Sequence, residues 1–346
     1  MEHGCAYGTH RVIEPAGVLP QAAWKIDNTM HIRDNEILIK VQTLNIDSAS
    51  FTQIRKEADD DEARISEIIK GIVAKRGKHH NPVTGSGGML IGTVEAIGDR
   101  LAGKIDLRRG DRIATLVSLS LTPLVIDEII RINKETDQVD VEGHAVLFES
   151  GIYAVLPDDL AENLSLAVLD VAGAPAQTAR LVKPGDTVVV IGAGGKSGLL
   201  CLYEAKKRAG ITGTVIAVEY SEANRNRIQQ LGLADVVLGG DATHALEIYE
   251  EVSEVTAGRL ADVTINVVNI PGTEMASVLS TRERGLVYFF SMATSFTAAA
   301  LGAEGVGKDV DMMIGNGYTA GHARIALEVL RECPKLRKLF EEVYAR

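Results

Sequence analysis

The residues best suited to chemistry lie in Val188-Val-Val-Ile-Gly-Ala-Gly-Gly-Lys-Ser-Gly198, which runs on into Leu199-Leu-Cys-Leu202. An apolar run, a glycine loop and helix-forming residues predict a strand, a tight turn and a helix N-terminus. That arrangement holds a pyrophosphate with backbone N–H groups and the positive end of a helix dipole. The pattern is Gly192-x-Gly194-Gly195-x-x-Gly198, with Ser197 where the common fingerprint ends in glycine. Gly192 suits the turn, Gly194 and Gly195 a close approach to phosphate beside Lys196 and Ser197, and Gly198 close helix packing. A plain glycine turn would read the same in isolation. The strand–helix context and Glu219, at the end of the next predicted strand, favour a dinucleotide. A carboxylate there accepts both ribose hydroxyls of NAD and repels a 2′-phosphate. Tyr220 and Ser221 add no cation, and Arg225 and Arg227 lie further along the next helix. NAD is therefore expected over NADP.

The elements that must position this loop follow from periodicity. The pattern predicts a helix over 159–181, a turn at Lys183-Pro-Gly-Asp186, then strands at 188–191, 214–219, 235–238, 262–268 and 285–290. Helices are expected between them at 198–209, 222–231, 243–255 and 273–279. Such alternation implies an α/β fold with a parallel, doubly wound sheet. Its ligands belong at the carboxyl ends of the strands, which points to Asn269 and Ser291. Residues 1–158 read differently. They carry a strand at 35–44, a helix at 57–70 opening on Asp59-Asp-Asp-Glu62, a basic loop at 76–82, and short strands across 85–116 and 139–156. An amphipathic helical tail is expected at 324–344. The boundaries read 1–158, 159–300 and 301–346.

A chain of 346 residues accommodates two cores. Its net charge of −11 argues against a nucleic-acid partner. The sequence has no apolar run of about 18 residues, so no membrane span is expected. The opening Met1-Glu-His-Gly-Cys5 does not read as a secretory signal, and the three cysteines show no paired spacing. A cytoplasmic protein is expected.

Gly87-Gly-Met-Leu-Ile-Gly-Thr-Val-Glu-Ala-Ile-Gly98, Arg109-Gly-Asp-Arg-Ile113, Leu156-Pro-Asp158 and Val182-Lys-Pro-Gly-Asp186 together resemble the medium-chain dehydrogenase/reductase superfamily. The resemblance covers residues 35 to 325. It implies a Rossmann domain plus a distorted, GroES-like β-barrel catalytic domain, with the C-terminal segment returning to the latter and a homodimer or homotetramer. The departures concern zinc. The position of the superfamily's ligand His holds Gly88, its neighbouring Glu is Met89, and the loop Leu44-Asn-Ile-Asp-Ser48 lacks the Cys ligand. The third ligand position falls near Asp170. A catalytic zinc needs about three protein ligands, so no metal is expected. His79 and His80 read as solvated loop residues. Tyr7-Gly-Thr-His-Arg-Val-Ile-Glu-Pro15 and Asp311-Met-Met-Ile-Gly-Asn-Gly-Tyr-Thr319 resemble a zinc-free, amine-oxidising branch of the superfamily. That branch oxidatively deaminates a 3,5-diamino acid with NAD during lysine fermentation.

Amine oxidation suits the loss of zinc. The amine must be neutral before hydride leaves its carbon, and the product is a cation that a carboxylate stabilises. Asp47, Ser48 and Asp170 sit at positions resembling the lost zinc shell. Asp170 or Asp47 is the expected proton acceptor, and Ser48 orients substrate or water. A capping role for either acid remains open at this stage. The substrate's carboxylate calls for Arg11, Arg55 or His10. Asn316, Tyr318 and His322, in or beside a glycine-rich loop, are further candidates for substrate binding. Two rival readings are a zinc-free enoyl or quinone reductase and a non-catalytic nicotinamide-binding protein.

Overall fold

The structure is a computed structural model that describes residues 2–315 and 317–345. It divides into two compact units, Met1–Asp159 and Leu160–Arg346.

The first unit is largely antiparallel. Strands β1 (Val12–Glu14) and β2 (Lys25–Ile26) form a small ribbon. A six-stranded sheet has the order β6-β7-β3-β4-β5-β8. Its strands are β3 (Glu36–Asn45), β4 (Met89–Ile97), β5 (Arg112–Thr115), β6 (Leu124–Asn133), β7 (Gln138–Phe148) and β8 (Tyr153–Val155). Strand β6 was not foreseen. Its Asp127-Glu128 and Arg131 interrupt the apolar pattern, and it lies on the sheet edge, where charge is tolerated.

The helix expected at 57–70 is two helices, α1 (Ser48–Glu57) and α2 (Glu62–Arg76). Asp59 and Asp60 take positive φ between them, a conformation that Asp tolerates better than most residues. Asp61 then caps α2 by accepting from Arg64 N at 2.8 Å. Phe51 and Ile54 of α1 and Ile65, Ile69 and Val73 of α2 bury against Ile37, Ile39, Val41 and Leu44 of β3. Each such side chain contributes about 1.5–3 kcal/mol of burial, which holds α1 against the sheet.

In the second unit a parallel sheet has the order β11-β10-β9-β12-β13-β14. The strands are β9 (Thr187–Ile191), β10 (Thr214–Glu219), β11 (Val236–Gly239), β12 (Ala261–Asn266), β13 (Thr281–Phe289) and β14 (Asp311–Ile314). Val188 to Ile191 are fully buried, as a central parallel strand covered on both faces requires. The strand order reverses between β9 and β12, the switch point where doubly wound folds bind ligands.

The helices are α3 (Glu162–Leu169), α4 (Gly173–Leu181), α5 (Lys196–Ala209), α6 (Glu222–Leu231), α7 (Ala245–Val255), α8 (Glu274–Ser280), α9 (Phe296–Gly305), α10 (His322–Glu332) and α11 (Pro334–Val343). Pro334 opens α11, so the expected tail is two helices. Residues from 301 onward, expected to return to the first unit, are part of the second: β14 pairs with β13, and α10 packs on α3, α4 and α5. The apolar stripe of α10, including Ala326, Leu327 and Leu330, is buried there. Among the described residues no helix is long and apolar enough to cross a membrane.

Candidate functional site

The glycine loop leaves the carboxyl end of β9 at the switch point. Gly192 turns with φ +82, and a side chain there would strike Val268 Cγ2 at 2.7 Å. A Cβ on Gly198 would lie 2.4 Å from Gly192 O, so the first turn of α5 packs directly on the loop. Gly195 is different: a Cβ there would meet nothing within 4 Å. It is also the N-cap of α5 and has no side-chain cap. The positive end of the helix therefore faces open space, as phosphate binding requires.

That space belongs to a groove of about 530 Å³ whose lining includes Gly192, Gly195, Glu219, Asn224, Asp241 and Asn269. Glu219 ends β10 almost wholly buried. One carboxylate oxygen accepts from Gly194 N at 2.8 Å, and the other accepts from Ser221 N at 2.9 Å and Asn224 Nδ2 at 3.3 Å. The acid thus braces the loop as well as presenting charge to the groove. Arg225 donates to the carbonyls of Glu219 and Tyr220. Ser291 Oγ donates to Asn269 Oδ1 at 3.3 Å, so these two expected residues come together beyond the ends of β12 and β13. The glycine, acid and amide positions together fit a dinucleotide.

Lys196 turns away from this role. Its ammonium pairs with the Asp170 carboxylate at 2.6 Å, on the surface beside the loop. Asp170 is the C-cap of α3 and is half-exposed. Tyr318 stacks edge-on against His322 at 5.1 Å. His322 is buried at the start of α10, and burial lowers its pKa. Asn316 lies outside the described residues.

In the first unit Asp47 caps α1, accepting from Ser50 N at 2.9 Å through Oδ1. Its Oδ2 is buried without a partner. Ser48 is exposed and donates to Asp137 at 2.6 Å. At Gly88, which the superfamily resemblance aligns with a zinc-ligating His, a Cβ would fall 2.1 Å from Asn45 O and 2.8 Å from Asp47 N. The backbone entering α1 thus occupies the room a ligating side chain would need. His79 is wholly buried, contrary to its expected solvated place, and His80 is partly buried. Burial brings each imidazole down to about 4, for His79 against the opposing influences of a Gly87 hydrogen bond and the Asp47 charge. Among the described residues no group of three or more His, Cys, Asp or Glu could hold a metal ion.

The expectation for Arg11 is corrected. Its side chain is buried, and all five N–H groups are spent. It grips Glu36 in a fork, Nε to Oε1 and Nη2 to Oε2, both at 2.7 Å. The remaining donors reach the carbonyls of Asp27, Thr29 and His31. Arg11 therefore ties the N-terminal segment to β3 and has nothing left for a substrate. His10 is likewise spent on Glu36 at 2.8 Å and on Cys5 N. Arg55 pairs with Asp60 at 2.7 Å beside an open surface groove.

Sequence reasoning missed Asp241 and Thr243, which follow β11 and line the groove. The rule that ligands sit at the carboxyl ends of strands would have found them had it been applied to this strand too. It also missed Tyr344, whose hydroxyl donates to Gly194 O at 3.4 Å. No local signal marks that contact.

Similarity to known proteins agrees with this architecture. The CurK enoyl reductase superposes with a TM-score of 0.53 at 16% identity, over 94% of this chain and 88% of that one. A mycobacterial quinone oxidoreductase gives 0.52 at 19% identity, over 94% and 85%. At these identities the likeness defines the fold, that of the medium-chain dehydrogenase/reductases. A model of the L-erythro-3,5-diaminohexanoate dehydrogenase N-terminal domain matches residues 10–157. Over 341 residues and 99% of both chains, the sequence is 61% identical to the L-erythro-3,5-diaminohexanoate dehydrogenase of Acetoanaerobium sticklandii. It is 60% identical over 344 residues to that of Fusobacterium nucleatum, covering 99% of this chain and 100% of that one. The chain belongs to the L-erythro-3,5-diaminohexanoate dehydrogenase family.

Proposed function

We propose that this chain oxidatively deaminates L-erythro-3,5-diaminohexanoate with NAD, yielding 5-amino-3-oxohexanoate and ammonium in lysine fermentation. The observation that carries this reading is the near-complete identity span with two relatives named for that substrate. A bound nicotinamide ring supplies the hydride acceptor. The chain's own residues do the rest. The uncapped start of α5 at Gly195 holds the pyrophosphate, and Glu219 takes the ribose hydroxyls, which supports NAD over NADP. Asn269 and Ser291 flank the nicotinamide end.

Asp47 is the better proton acceptor of the two acids. Asp170 is already paired with Lys196 in water, whereas Asp47 keeps one buried oxygen without a donor. A carboxylate there takes the proton of the C3 ammonium, which leaves the neutral amine whose nitrogen lone pair drives hydride off its carbon. Ser48 orients substrate or water, while Arg55, Tyr318 and His322 are the remaining candidates for substrate contact. The reading is zinc-free, supported by Gly88 at the position of the superfamily's ligand His, by the absence of Cys from the 44–48 loop and by the closed backbone at Gly88. We place the enzyme in the cytoplasm as a homodimer or homotetramer, which light scattering on the purified protein would test.

The deciding experiment measures NAD reduction by absorbance with 3,5-diaminohexanoate, set against simple alcohols and α-amino acids. Turnover confined to the diamino acid is expected. Turnover with alcohols alone would overturn the proposal.

A further inference from the structure

Gly71 sits in the interior of α2, where glycine weakens a helix relative to alanine. Its φ is not positive, and a Cβ there would meet nothing within 4 Å. Neither turn geometry nor close packing therefore calls for glycine. Gly195, at the start of α5, has the same character and faces the cofactor groove. Gly71 lines a separate groove of about 470 Å³, formed wholly by residues of the first unit. A side chain at Gly71 would take up room that the groove leaves open.

Charge is sorted along this groove. Glu67, Gly71 and Lys75 are spaced i, i+4, i+8, so they form one stripe of α2, and all three line the groove. Glu57 joins the acidic end, because its carbonyl accepts from Arg64, in the first turn of α2, at 3.1 Å. Gln53 donates to the Glu57 carboxylate and accepts from Asn81, both at 2.8 Å, which orients that acid. Arg76 joins the basic end. Its Nε and Nη1 hold the carbonyls of Trp24 and His80, and burial alone lowers its pKa. Among the described residues no ion pair links Glu57, Glu67, Lys75 or Arg76 to an opposite charge. Between the two ends lie Ile68 and Ile72, partly buried against the core. Trp24, the only tryptophan of the chain, lines the groove and is 49% exposed.

We propose that this groove binds a zwitterionic aliphatic amino acid with its ammonium and carboxylate at opposite ends of the carbon chain. Glu67 and Lys75 are separated by two helical turns and more, so their Cα atoms lie about 12 Å apart. A hydrogen bond of about 3 Å at each end leaves roughly 6 Å, the length of a chain of about five carbons. The ammonium meets Glu57 and Glu67. The methylenes lie over Gly71, Ile68 and Ile72 beside Trp24. The carboxylate meets Lys75 and the N–H groups of Arg76 that its backbone contacts leave over. A ligand with one charge answers one end of the groove and leaves the other end unmatched. No bond is made or broken at this site, and the inference stands apart from the proposed deamination.

The test reads Trp24 fluorescence in the full chain during titration with 6-aminohexanoate, with hexylamine and hexanoate as single-charge controls. A saturable change with a Kd at or below about 1 mM is expected for the zwitterion, and each control should bind about tenfold more weakly or worse. Glu67→Gln and Lys75→Gln should each weaken binding about threefold or more. Gly71→Leu places a good helix former in the open space, so it should weaken binding about tenfold or more without lowering Tm. No saturable change, an equal response to either control, or wild-type affinity in Gly71→Leu overturns the proposal. Shielding of Trp24 from acrylamide that grows with protein concentration, with no response to the amino acid, gives the groove to a second copy of the chain and overturns it too. Turnover of the diamino acid is measured in parallel. If the wild type never turns it over but Trp24 reports the zwitterion, the deamination fails and the groove site stands. If turnover is normal and Trp24 is silent, the groove site fails and the deamination stands.

Discussion

Replacing Arg11 by Met separates a substrate ligand from an internal tie. Both side chains of the Arg11–Glu36 pair are nearly inaccessible, at 3% and 1%. Removing the guanidinium strands a buried carboxylate that keeps only Arg33 N at 2.9 Å and His10 at 2.8 Å. Breaking one partner of such a pair costs about 3–5 kcal/mol, a large share of a stability of about 5–15 kcal/mol. For a unit of this size that is a fall in Tm of roughly 6–20 °C.

The loss should depend on pH. Burial pushes the Glu36 carboxyl up, but Arg11, Arg33 N–H and His10 outweigh it and hold the group below its ordinary value. Its contribution is therefore complete above the ordinary carboxylate range and lost as pH falls through the depressed folded value. Without Arg11 the carboxyl rises, so the gap between wild type and variant should be widest near neutrality and narrow below about pH 4. Urea denaturation at several pH values reads this directly. Adding Glu36→Leu should recover part of the loss by removing the stranded charge. KM for the diamino acid should stay within about twofold, provided the assay temperature keeps the variant folded. A variant of wild-type stability whose KM rises about tenfold or more, about 1.4 kcal/mol, would refute the reasoning and restore Arg11 to the substrate.

Glu219→Gln places an amide NH₂ against the N–H of Gly194 or Ser221 and should weaken NADH binding by about 10–100-fold, with NADPH much less affected. Equal losses by fluorescence titration would contradict a ribose-reading role. Gly195→Ala should fold normally yet bind cofactor poorly, because its methyl enters the open space before α5. Gly198→Ala should instead lower Tm, because its methyl meets Gly192 O at 2.4 Å; the opposite ranking would argue against this loop geometry. Asp170→Asn, losing only a surface ion pair worth about 0–1 kcal/mol, should change kcat less than about tenfold. Asp47→Asn should cost on the order of 10²-fold, and steady-state kinetics giving the reverse order would exchange the roles of the two acids.

The second unit was legible because its cues are local. Strand 214–219 and helix 222–231 stand where periodicity put them, since a buried parallel strand reads as an apolar run and Ser221 and Gly232 punctuate the helix. Legibility failed where charge interrupts an edge strand, as in β6, and where an acidic run is a turn rather than a helix start, as at Asp59 and Asp60.

By itself the sequence determined the doubly wound order, the glycine loop and the acid at Glu219, because each depends on neighbours within a few residues. It also put Gly88 where the superfamily resemblance implies a zinc-ligating His. Only the tertiary structure decided what the scattered polar groups do. It spent Arg11 on Glu36, paired Asp170 with Lys196, brought Tyr344 to Gly194, and buried His79. A side chain's role depends on which donors and acceptors remain unpaired after folding, and residues far apart in the chain make those pairings.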